Sequence, residues 1–154
     1  MRVYVPATLH TVAELVQRRV VGPAPVAAFA VTAAVRAAAP GADPDELAED
    51  AMASAADASL GLLAADPASP RRRVVIAADV PDPAVEETDP ASGAVLVRAE
   101  IAMATVASVH VDDVDAEPDV SVAVSAWPTA SDAADGHALL WYATQELADL
   151  VSGS

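Results

Sequence analysis

Small side chains dominate the apolar part of this sequence, and that constrains its fold more than any other feature. Hydrophobic residues fill 54% of the 154 positions, yet aromatic ones fill only 3%. Alanine and valine carry the difference. A core built from such short side chains reaches interior packing density only if helices lie close to the surfaces they cover. The few rings then count for more: Tyr4, Phe29, Trp127, Trp141 and Tyr142. The length suits one domain, which buries roughly 70% of the surface its unfolded chain exposes.

Three residue types are missing altogether: lysine, cysteine and asparagine. Without lysine there is no Schiff base and no P-loop lysine. Without cysteine there is no thiolate nucleophile, disulfide or cysteine-ligated cluster. The chemistry left rests on three histidines, hydroxyls, carboxylates and eight arginines. A formal charge of −15 repels phosphate backbones and anionic lipid, so no nucleic acid and no membrane partner is expected. No cofactor motif is present. No basic segment precedes a long apolar core at the start of the chain, and Val20 to Ala39 is broken by Pro23, Pro25 and Arg36. A cytoplasmic protein is the expectation.

Local signals give an element order. Arg2 to Val5 reads as a strand. Thr8 caps a helix from Leu9 to about Arg19, which Gly22 and Pro23 stop. Val26 to Val31 reads as a strand, and Thr32 caps a short helix through Ala39. Asp43 caps the clearest helix, with Pro44 at its first position and acids in its first turn, running to about Ala65. Arg73 to Val80 is a strong strand. Pro81 to Gly93 reads as a loop. Ala94 to Ala99 is the next strand, expected to pair antiparallel with the one before. Met103 to Val106 reads as one helical turn, Ala107 to Asp112 as a strand, and Pro118 opens a helix to about Ala126. Ala138 to Ala143 is strand-like or helical, and Thr144 caps a last helix to Val151. The order implies a single α+β domain over residues 1–154: a mixed, largely antiparallel sheet of about six strands with helices on its faces.

Four clusters are candidates for chemistry. His110 and Asp112 share a strand face; with Asp113 they form a weak metal set, and with Glu146 a catalytic acid–base set. The plainer account is that the acids before Pro118 cap the next helix. Trp141 and Tyr142 are adjacent, so one faces a pocket rim or the surface, or both simply complete the core and the sheet edge. Arg73 ends the only basic run and suits an anion, or merely a solvated strand entrance. Tyr4 and Thr8 sit where the first strand meets the first helix, a place where ligand crevices form. Their plainer roles are a half-buried ring and a helix cap.

Met1-Arg2-Val3-Tyr4-Val5-Pro6-Ala7-Thr8-Leu9, Arg71-Arg72-Arg73-Val74-Val75, Val109-His110-Val111-Asp112-Asp113 and Gly136-His137-Ala138-Leu139-Leu140-Trp141-Tyr142-Ala143-Thr144-Gln145-Glu146-Leu147 together give a resemblance that spans nearly the whole chain. The sequence resembles a family of small actinobacterial proteins of unknown function. The resemblance implies one intact domain and a cytoplasmic origin, and it brings no activity, cofactor or site with it. Two functions stay open. One is a non-enzymatic module that binds a protein or a small-molecule ligand, with homo-oligomerisation through an exposed sheet edge or the Trp141–Tyr142 region as a further option. The other is a small metal-dependent or acid–base hydrolase using His110 with Asp112 or Asp113. Convergence of His110, Asp112, Tyr4 and Glu146 in one pocket would favour the second.

Overall fold

A computed structural model describes residues 1–153. Seven strands form the main sheet: β1 (Arg2–Ala7), β3 (Val26–Ala30), β4 (Val74–Asp79), β5 (Val85–Asp89), β6 (Ala94–Val97), β8 (Val106–Val111) and β9 (Leu140–Tyr142). Their order across the sheet is β5-β6-β3-β1-β4-β8-β9. Each neighbouring pair runs antiparallel. The helices are α1 (Leu9–Arg18), α2 (Ala33–Ala38), α3 (Pro44–Ala65), α4 (Glu117–Ala126) and α5 (Leu147–Ser152). The fold class is α+β, as the sequence implies.

Alternation along the strands splits the core into two layers. Val3, Val5 and Ala7 of β1, Val74 and Ile76 of β4, and Val109 and Val111 of β8 face one way. They pack with Leu9, Val12 and Leu15 of α1 and Leu147 of α5. Tyr4, Val75 and Ala77 face the other way, under Ala51, Ala55 and Ala56 of α3. Residues 74–78 are all buried because β4 is covered on both faces. The alanines are what let α3 lie close, and Ser59 fastens it there. Its hydroxyl donates to the Ala7 carbonyl at 2.7 Å and accepts from the Val74 N–H at 3.2 Å. The far end of α3 packs Leu60 and Leu63 against Val120, Ala123 and Val124 of α4.

The caps follow the sequence in three places. Thr8 and Thr11 form a reciprocal cap on α1. Thr32 accepts from Val35 N–H on α2, and Asp43 from Asp45 N–H on α3. Elsewhere the structure departs from expectation. α1 ends at Arg19 as expected, but it is Arg19 itself that stops it, not Gly22 and Pro23: it takes the left-handed conformation (φ 64°) and donates to the Leu15 carbonyl. The chain then enters β2 (Val20–Val21), which pairs with β7 (Ile101–Ala102) in a separate two-stranded sheet. β6 does not pair with β4 as expected; it lies between β5 and β3, while β4 lies between β1 and β8. The stretch expected to be a loop, Pro81 to Gly93, contains β5. The last helix is not capped by Thr144: the Glu146 carboxylate accepts from the Ala143 N–H at 2.9 Å instead. The acids ahead of α4 provide no side-chain cap either.

Candidate functional site

A depression lies where the start of α3 meets the beginning of β1, lined as well by residues of the segment from Val31 to Ala42. Its volume is about 560 Å³. Strand period places Arg2 and Tyr4 on the same face, and both line it. Tyr4 is only 8% exposed. Its ring rests on the sheet beside Ala77, its register partner, and near Ala51 and Ala55. Its hydroxyl makes no hydrogen bond among the described residues. Arg2 is held across the strand pair by Asp79, through Nε at 2.7 Å and Nη2 at 3.0 Å. That contact keeps the Asp79 carboxyl below the usual carboxylate range. Arg36, from α2, reaches back to donate from Nη1 to the Val31 carbonyl at 2.9 Å. Val31, Leu47, Ala48 and Pro44 supply apolar wall.

A second depression of about 370 Å³ runs along the β8 side of α3. Asp57, Arg73, His110, Asp135 and His137 line it. His110 is half-buried, with Nε2 2.9 Å from the Ser108 hydroxyl. Burial, and then the charge of Arg2, hold its imidazole below the usual histidine range. The Asp57 carboxyl is pushed up, first by burial and then by Asp135, with Arg73 opposing. A third depression holds Glu146, Tyr142, Asp113 and Arg72.

Asp112 lines none of these three. It is fully buried, and both its carboxylate oxygens are taken by Arg73. Oδ2 accepts from the Arg73 N–H and Nε, each at 2.8 Å, and Oδ1 accepts from Nη2 at 2.9 Å. The same Nη2 donates to the His137 carbonyl at 3.0 Å, so this ion pair ties the 134–137 turn to the sheet. Among the described residues no three His, Asp or Glu side chains are arranged to hold a metal ion. Thr8 spends its hydroxyl on the α1 cap. Trp141 is 61% exposed on the edge strand β9, whereas Tyr142 packs partly into the core under α1 and α5.

The named candidates therefore do not meet. Tyr4 opens on one cavity, His110 and Arg73 on a second, Glu146 and Tyr142 on a third. Sequence reasoning singled out Tyr4 and missed its companions. Arg2 was open to inference, lying two residues away on the same strand face. Arg36 carried a signal as well, as the only charged residue between Arg19 and Asp43.

The molecule is thus an α+β protein in which one of several depressions sets a buried tyrosine beside two arginines. The chain belongs to a family of unknown function, DUF6912, whose model matches residues 1–151. No curated protein and no solved structure is detectably similar to it. No helix among the described residues is long and apolar enough to cross a membrane.

Proposed function

We propose that the protein is a small-molecule-binding module and that the cavity at the start of α3 is its binding site. The observation that carries this reading is Tyr4: a ring more than nine-tenths buried, lining the cavity, with a hydroxyl that no described residue satisfies. The hydroxyl is not itself sealed off, since among the described residues the one buried side-chain polar atom without a partner is Ser69 Oγ; it is open to the cavity, where a ligand can take the place of water as its hydrogen-bond partner. The volume of about 560 Å³ falls in the range of small-molecule sites, roughly 300–1,000 Å³, with apolar walls and few polar groups. Binding is favoured over catalysis because the acid–base candidates are distributed over separate depressions.

The test is thermal unfolding of the purified protein against a panel of small metabolites, followed by intrinsic fluorescence. A ligand that binds only the folded state stabilises it by about 2.7 kcal/mol at one hundred times its dissociation constant. The expected hit loses most of its shift in Ala42→Trp, which fills the cavity, and in Tyr4→Phe, which removes only the hydroxyl. Hits whose shifts survive in both variants would place binding elsewhere and end this proposal.

A further inference from the structure

We infer that the ligand of this cavity is an amphiphilic anion: an apolar body with one carboxylate, sulfonate or phosphate head directed at Arg36. The inference rests on the cavity being the binding site and adds the ligand's charge and shape. The chain carries 23 acids against eight arginines, yet the charged side chains lining the cavity are Arg2, Arg36 and Asp82. The Met1 ammonium also lies at the cavity and pairs with Asp82 at 3.0 Å, so the local sign is inverted relative to the molecule. Of the two arginines, Arg2 is already neutralised by Asp79. Arg36 has no acidic partner among the described residues. Its Nη1 bond to the Val31 carbonyl steadies the side chain and leaves Nε and Nη2 unpaired. Those two donors form the edge of a guanidinium that matches an oxyanion bidentately.

The rest of the cavity fixes the other half of the ligand. Val31, Leu47 and Ala48 present aliphatic surface, and the Tyr4 hydroxyl, open to the cavity, offers one polar contact. A fully polar anion would leave this wall uncovered, and a neutral apolar molecule would leave Arg36 unpaired. An anion with an apolar body satisfies both.

Two dyes with the same ring system separate these possibilities: 1-anilinonaphthalene-8-sulfonate and its neutral parent N-phenyl-1-naphthylamine. Fluorescence titration of the wild-type protein is expected to show saturable sulfonate binding that Ala42→Trp abolishes. Arg36→Gln is expected to weaken the sulfonate about tenfold and leave the neutral dye unchanged, with the thermal midpoint as a check on folding. Equal affinity for both dyes, indifferent to Arg36→Gln but lost in Ala42→Trp, would overturn the anion and keep the cavity. Sulfonate binding that persists in Ala42→Trp, or no sulfonate binding at all, would overturn the inference too. The first of these outcomes would also remove the cavity from the proposed function.

Discussion

Asp112 accepts three hydrogen bonds from Arg73 with no exposed surface of its own. A pair in this position is not a large net source of stability, since removing both charges from water offsets most of their attraction. Removing one partner is different, because the other is left buried and uncompensated. Asp112→Ala is expected to destabilise the fold by about 3–5 kcal/mol in urea unfolding. Combining Arg73→Met with Asp112→Leu should cost clearly less than the sum of the two single changes. Additive costs would mean that the two side chains act independently, against the geometry. The same residue shows where sequence reasoning stops. Spacing puts Asp112 on the His110 face of the strand and so suggests chemistry. The partner that claims it lies far back along the chain, and no local pattern announces a non-local ion pair.

At the scale of elements, legibility follows how local each signal is. α3 was readable to the residue because its cap, first-turn proline and acids all sit within a few positions of Asp43. β4 was readable because coverage on both faces turns it into an unbroken apolar run. β5 was not, since Val85-Glu-Glu-Thr-Asp is an exposed edge strand and its acids read as loop; those charges also discourage edge-to-edge pairing. β2 and β7 are two residues each, too short for any period. The cavity depends on the segment after β3 folding back over β1, which is a tertiary event, so of its polar residues sequence reasoning singled out Tyr4 alone. Helix packing hides one more element-level device. An ideal Cβ on Gly61 would stand 2.7 Å from Cζ2 and 2.9 Å from Cε2 of Trp127. The glycine therefore seats the indole at the end of α4 against α3, at the expense of about 1 kcal/mol of helix propensity. Gly61→Ala should destabilise the wild-type protein but stabilise a Trp127→Ala background by about 1 kcal/mol. Chemical denaturation of the four proteins checks this, and the same sign in both backgrounds would show that the close approach carries no weight.

For the whole molecule the governing quantity is the charge of −15. Of the ion pairs among the described residues, only Arg73–Asp112 is buried, while Arg2–Asp79 and Arg98–Glu86 lie at the surface. Exposed pairs contribute about 0–1 kcal/mol each, so they do little to offset repulsion among so many carboxylates. That repulsion acts over the screening length, which falls from about 30 Å at 0.01 M salt to about 10 Å at 0.1 M. The compact state holds its charges closer together than the unfolded chain does, so screening favours it. Raising sodium chloride across that interval at neutral pH is expected to lift the thermal midpoint by a few degrees, since about 1 kcal/mol corresponds to about 2–4 °C for chains near this length. The sign follows from where the opposing charges are: the one strong attractive pair is desolvated and poorly screened, whereas the excess acids sit in water and are screened well. Calorimetric scans at fixed pH check it, and a midpoint that stays flat or falls as salt is added would mean that surface attraction, not repulsion, sets the electrostatic balance of the fold.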